Sequence, residues 1–158
     1  MPALKGAAQR VQDCADNLGL TITVKEMAAS TRTAEEAAEA CACAVGQIVK
    51  SLVFQGRDTG QPILVLVSGA NRVDEKRAAA YTGEKLTRPD AAYVRDQTGF
   101  AIGGIPPFAH TQALATYIDR DLLAYDHVWA AAGTPNCLFS VSPQALADAV
   151  DATIVDVA

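Results

Sequence analysis

Two stretches of this chain carry residue types that can act on a bound ligand. In GQIVKSLVF (46–54), Lys50 interrupts an apolar, β-branched run between Ile48 and Leu52. Lysine is seldom buried without a partner. At a strand end it either snorkels to water or projects into a cleft, where it serves as a cation for a phosphate or a polarised carbonyl. Ser51 beside it faces the opposite side of a regular strand.

In AIGGIPPFAH (101–110), Gly103 and Gly104 stand next to Pro106 and Pro107. Glycines lack a Cβ, so their backbone approaches a ligand closely and takes positive φ, with N–H groups free to enter a cleft. The prolines fix φ and restrict the residue before each. Donors held in a stiff frame suit an oxyanion hole, which binds an ester or carbonyl oxygen and stabilises the charge that develops on it. A tight turn between two strands is the plain structural alternative. His110, three residues past Pro107, either contacts a substrate or fixes its own loop, and His127, opening a strand, reads as structural. No Ser-His-Asp or Cys-His set is visible. Water attacking an ester would therefore be activated by the substrate's own groups and by positioning.

The four cysteines, Cys14, Cys41, Cys43 and Cys137, lack the paired CxxC spacing of a zinc site. They read as small, reduced, packed residues, and no metal or cofactor is expected. A chain of 158 residues, half of them apolar, can bury one core and should form one domain over 1–158. No apolar run approaches the ~20 residues that cross a bilayer, and MPALKGAAQR lacks a signal-peptide core, so the cytoplasm is the default.

The net charge of −5 argues against a polyanionic partner. It is unevenly placed. From residue 112 onward Arg120 stands against Asp119, Asp121, Asp126, Asp148, Asp151 and Asp156, so residues 1–111 are balanced. Within that part Arg72, Lys76, Arg77, Lys85, Arg88 and Arg95 make either a basic face for phosphates or, interleaved with Asp74, Glu75, Glu84, Asp90 and Asp96, a solvated helical surface.

The elements that must position these residues follow from periodicity. Leu4, Ala7, Ala8, Val11, Ala15 and Leu18 predict a helix over 4–18 that Gly19 ends. LTITV (20–24) predicts a short strand. Thr33 and Glu36 form a capping box ahead of an Ala-rich helix over 34–43. VKSLVF (49–54) and the wholly apolar ILVLVS (63–68) predict two strands around a turn at DTGQP (58–62), the second central in its sheet. Residues 73–81 predict a helix; Thr87, Pro89 and Asp90 open another that Gly99 closes with a left-handed cap. ATYID (115–119), LLAY (122–125), HVWAAA (127–132) and CLFSV (137–141) read as strands, Ser142-Pro143 starts a last helix, and ATIVDV (152–157) a last strand. Strands in two runs with helices among them predict an α+β domain on a mixed sheet, with antiparallel hairpins after residue 115.

In order along the chain, TRTAEEAAEACACAVGQIVKSLVF, GGIPP and AHTQALATYIDRDLLAYDHVWAAAGTPN resemble the YbaK/prolyl-tRNA-synthetase-associated domain family of aminoacyl-tRNA deacylases. The resemblance implies a mixed, barrel-like β-sheet with peripheral helices. It implies hydrolysis of the ester joining a wrongly attached small amino acid to the terminal adenosine of tRNA, typically proline tRNA. This length is that of the freestanding members, which act in trans. Carried over, Lys50 anchors the tRNA 3′ end near the ester, while Gly103 and Gly104, in the loop ending at Pro107, hold the carbonyl or the aminoacyl adenosine through backbone amides. Thr33, Ser51, Ile105, Pro107, Phe108, His110 and Gly133 complete the substrate-binding set. The partners implied are aminoacyl-tRNA through its 3′ end and a prolyl-tRNA synthetase or elongation factor that delivers it, with neither membrane nor DNA. After Gly133 the chain has TPNCLF where some members carry a basic residue, a glycine and an acidic residue, which implies a different reception of the amino acid's ammonium or side chain. A non-catalytic tRNA- or nucleotide-binding module with the same cleft is the alternative.

Overall fold

The computed structural model describes residues 6–27, 31 and 33–158. Helix α1 (Ala7–Asn17) buries Ala8, Val11 and Ala15, and Gly19 follows its end at φ +75°. Leu4 of the predicted helix lies outside the described residues. Strand β1 is only Lys25–Glu26. In the predicted strand at 20–24 Leu20, Ile22 and Val24 alternate inward, but among the described residues the segment joins no sheet. The side chain of Gln12 takes the place of a neighbouring strand, donating to the Ile22 carbonyl and accepting from the Val24 amide.

Helix α2 (Ala34–Cys41) starts at the Thr33–Glu36 capping box, whose two reciprocal bonds are both made, and ends with Ala42 in the left-handed region. Strands β2 (Val49–Gly56) and β3 (Pro62–Ser68) form an antiparallel hairpin in the register Lys50 to Val67, Leu52 to Val65. Helix α3 (Glu75–Thr82) is capped by Asp74 and strand β4 (Leu86–Thr87) joins β2. Helix α4 (Ala91–Thr98) runs from the Asp90 cap to Gly99 at φ +81°. Strands β5 (Ala115–Asp119), β6 (Val128–Ala131) and β7 (Cys137–Val141), helix α5 (Pro143–Ala149) and strand β8 (Thr153–Val155) complete the order.

Five strands form one mixed sheet in the order β4-β2-β3-β5-β8, with β5 parallel to both β3 and β8. Every residue of β3 is buried, because its sheet is covered on both faces. Leu64 and Leu66 pack with α1, Phe108, Phe139 and Leu146 on one side, and Val65 and Val67 with Ala78 of α3 on the other. Each fully buried aliphatic side chain there contributes roughly 1.5–3 kcal/mol.

The barrel-like expectation is corrected by the second sheet. Strands β1, β7 and β6 stand apart from the five-stranded sheet and meet it at an isolated bridge between Ile48 and Trp129. The larger sheet ends openly at β4 and β8, so no barrel closes. Residues 122–125 are not a strand either: Arg120–Ala124 is a 3-10 turn, begun by the Asp119 side chain accepting from the Asp121 amide. After residue 115 one antiparallel hairpin forms, β6–β7, while β5 and β8 lie parallel.

Candidate active site

Strand β2 is paired with β3 along one side from Val49 to Gln55. Its other side meets β6 at Ile48 and β4 at Gln55 and Gly56, so among the described residues 50–54 have no ladder partner there. The Gly69 amide bonds the Ile48 carbonyl and the Gly56 amide the Gln61 carbonyl, which turns the even-numbered peptide groups of β2 toward β3. By the alternation of an antiparallel ladder, the N–H and C=O of Ser51 and Val53 then face the unpaired side. A cavity of about 270 Å³ opens along this edge. Lys50 and Ser51 both line it although their side chains lie on opposite faces, because the hollow follows the edge of the strand rather than one face.

The remaining walls come from distant segments. Helix α2 and the residues before it give Thr31, Thr33, Ala34 and Ala37; the second sheet gives Trp129, Ala131 and Leu138; the glycine–proline loop gives Ile102, Gly103 and Ile105. Among the described residues that line it, Lys50 is the one that carries a charge. Thr33 is held by its capping box, and the buried Thr31 hydroxyl donates to the Pro135 carbonyl. The Ser51 hydroxyl is buried and has no hydrogen-bond partner among the described residues.

Lys50 Nζ donates to the main-chain oxygen of Asn71 at 2.5 Å. Burial pulls its ammonium below the ordinary lysine value and Arg72 adds to that, while the carboxylates of Glu35 and Asp119 resist the shift. An ammonium has three donors, and two of them have no partner among the described residues.

The loop divides into residues that face the cavity and residues that hold it. Gly103 lines the hollow at φ +101°, a conformation only glycine takes without strain, and its amide has no partner among the described residues. Ile105 is buried beside it. Gly104 departs from the sequence reading: it is buried away from the cavity, its N–H donates to the Ala101 carbonyl at 3.2 Å, and its own carbonyl accepts from Gly133 at 2.9 Å. An amide spent in a turn is not offered to an oxyanion. Gly133, at φ +94°, sits where a Cβ would collide with the main chain of Ala7, bonds the loop through its amide and is not among the residues lining the cavity. Pro107 is buried, and Phe108 packs on Phe139 with ring centres 5.5 Å apart.

His110 also belongs to the frame. A carbonyl only accepts, so Nε2–H of His110 donates to the Pro106 oxygen at 2.8 Å, and the ring stands edge-on to Phe100. Burial pushes the imidazole below its ordinary value of 6.5, against the opposing effect of that bond. The basic side chains weighed as a phosphate face are partly paired, Arg77 with Asp74 and Arg88 with Glu75. Among the described residues no group of three or more His, Cys, Asp or Glu is arranged to hold a metal ion. Thr31, Ala37, Ile102, Trp129, Ala131 and Leu138 were not legible as lining residues, since each reads locally as core or loop.

A model of the aminoacyl-tRNA editing domain matches residues 28–149. The chain belongs to that family. This editing domain is 47% identical to a solved structure described as a candidate trans-editing enzyme for prolyl tRNA synthetase, over 98% of each chain and with a TM-score of 0.92. It is 32% identical over 125 residues to the uncharacterized protein YwhH of Bacillus subtilis (strain 168), which covers 79% of both chains. It is 28% identical over 102 residues to the proline–tRNA ligase of Limosilactobacillus fermentum, spanning 62% of this chain and 18% of the ligase. Among the described residues no helix of the editing domain is long and apolar enough to cross a membrane.

Proposed function

We propose that this editing domain is a trans-acting aminoacyl-tRNA deacylase that hydrolyses the ester of a small non-cognate amino acid mischarged on tRNA, with proline tRNA as the substrate. The observation that carries the reading is that Lys50 and Gly103, far apart in sequence, line one small cavity. Its size suits the acyl group and part of a ribose, not a folded nucleic acid. The likeness to part of proline–tRNA ligase supports proline tRNA. The work belongs in the cytoplasm, with a synthetase or elongation factor handing over the charged tRNA.

In this reading the free donors of Lys50 hold a phosphate oxygen of the 3′ end and so align the ester. The carbonyl oxygen rests on the Gly103 amide, with that of Ile105 as the next donor along the loop. Water adds to the carbonyl carbon, and the oxygen of the tetrahedral species carries the negative charge that the amide stabilises. Collapse breaks the bond to the ribose oxygen, which takes a proton and leaves as a hydroxyl, and the amino acid is released. Among the described residues lining the cavity no side chain is a carboxylate or histidine. The proton from water therefore passes to the substrate's own free amine, or by way of the neighbouring hydroxyl to the departing ribose oxygen, and orientation supplies most of the acceleration.

The test is a deacylation assay with proline tRNA carrying each small amino acid. The wild type should cleave at least one ester, and Lys50→Ala should lower kcat/KM by about a hundredfold or more. Tight tRNA binding without cleavage of any ester would replace this reading with that of a binding module.

A further inference from the structure

Lys50 does not hold its place by itself. Its ammonium is bonded to the carbonyl of Asn71, in the turn that follows β3. The Asn71 side chain in turn donates to Asp119 Oδ2 at 2.9 Å and to Asp121 Oδ2 at 2.7 Å. Asp119 is 1% exposed, yet among the described residues it forms no ion pair within 4 Å. Its carboxylate is met by three donors, the Ser68 amide at 3.0 Å, the Asp121 amide at 3.0 Å and the Asn71 side chain. Burying an ionised carboxylate is costly unless such bonds compensate it. Besides capping the 3-10 turn that follows β5, the carboxylate binds the end of β5 to the turn whose carbonyl holds Lys50.

We propose that Asp119, acting through Asn71, is a positioning residue that holds the Lys50 ammonium at the cavity wall. Asp119 is not among the residues that line the cavity, so its effect on the reaction runs through Lys50. The inference rests on the deacylase reading for its kinetic consequence and on geometry alone for its structural one. Among the described residues the charged groups that act on Lys50 are Arg72, Glu35 and Asp119, and of the two carboxylates Asp119 is the one connected to it by a chain of hydrogen bonds through Asn71.

The experiment uses protein labelled with nitrogen-15 lysine. The Lys50 Nζ resonance is followed through a pH titration without substrate, beside deacylation kinetics, for the wild type, Asn71→Ala and Asp119→Asn. Asn71 is half-buried. In Asn71→Ala the Lys50 resonance should shift and lose its protection from solvent exchange, and kcat/KM should fall by about tenfold to a hundredfold. In Asp119→Asn the Lys50 titration should move to lower pH, because a charge that favours the ammonium is gone. In a Lys50→Ala background Asn71→Ala should cost nothing further, as expected for residues acting as one unit. An Asn71→Ala protein whose Lys50 resonance is unmoved overturns the tether. So does a kinetic loss that persists within about twofold in the Lys50→Ala background. If the wild type cleaves no ester, the deacylase reading fails separately, and the Lys50 resonance still decides whether Asn71 and Asp119 hold the ammonium.

Discussion

The Gly133 amide donates to the Gly104 carbonyl across 2.9 Å, joining the end of the second sheet to the glycine–proline loop. Neither glycine faces the cavity, and both are needed where they are. A Cβ on Gly104 would lie 2.9 Å from the main chain of Thr134, and one on Gly133 2.9 Å from that of Ala7. The bond is a clamp that sets where Gly103 stands.

Gly104→Ala and Gly133→Ala should therefore each destabilise the fold by about 1–3 kcal/mol, through forced displacement of packed backbone. At about 2–4 °C per kcal/mol for a chain of this size, the loss is visible in thermal unfolding. Gly104→Ala should also lower kcat, because the displaced loop carries Gly103 with it. Unchanged melting and activity in both variants would refute the clamp.

His110 makes a pH prediction whose sign is fixed by its burial. Its folded value lies below the ordinary 6.5, so between the two values the unfolded chain binds more protons than the folded one. Stability contributed by neutral His110 is complete above pH 6.5 and declines as pH falls through that point toward the folded value. Denaturant unfolding between pH 5 and pH 8 should show this slope in the wild type and lose it in His110→Gln. Because His110 fixes the loop, His110→Gln should keep kcat near neutral pH within about tenfold, whereas loss of a general base costs about 10²–10⁴.

Cys41 is pushed up to about 11 by burial and by the neighbouring Cys43, with Lys25 opposing. Two units above the usual thiol value leaves about a hundredfold less thiolate at a given pH. Alkylation at pH 8, followed by mass spectrometry, should be correspondingly slow at this residue compared with an unfolded control. Deacylation should survive brief alkylation, since no cysteine lines the cavity.

Ala131 faces the cavity from β6, where a β-branched side chain fits the strand. Ala131→Val should narrow the hollow and reduce kcat/KM more for the larger of two small aminoacyl esters than for the smaller. The discrimination gained is expected at about 1–3 kcal/mol per methylene. Equal losses for alanyl and larger esters would show that the acyl group lies elsewhere.

What the sequence determined about this chain is whatever a few neighbouring residues decide between themselves. The Thr33–Glu36 capping box, the Asp90 start and Gly99 stop of α4, the Ser142-Pro143 start of α5 and the apolar run of β3 are of this kind. Each rests on bonds or burial preferences that act within one turn or one strand. The misplaced strands show the limit of that reading. Residues 20–24 have strand composition but find the Gln12 side chain instead of a partner strand, and residues 122–125 are turned aside by the Asp119 cap.

At the site the chemistry was legible as types and the geometry was not. Lys50 and Gly103 could be singled out because a cation in an apolar strand and a glycine at a stiff loop are locally anomalous. That Gly104 and Gly133 bond each other, that Asp119 reaches Lys50 through Asn71, and that the unpaired edge of β2 forms the cavity depend on contacts between residues tens of positions apart. Residue type sets what a group can donate or accept; only the packed chain decides which distant partner consumes it and which donors stay open to a ligand.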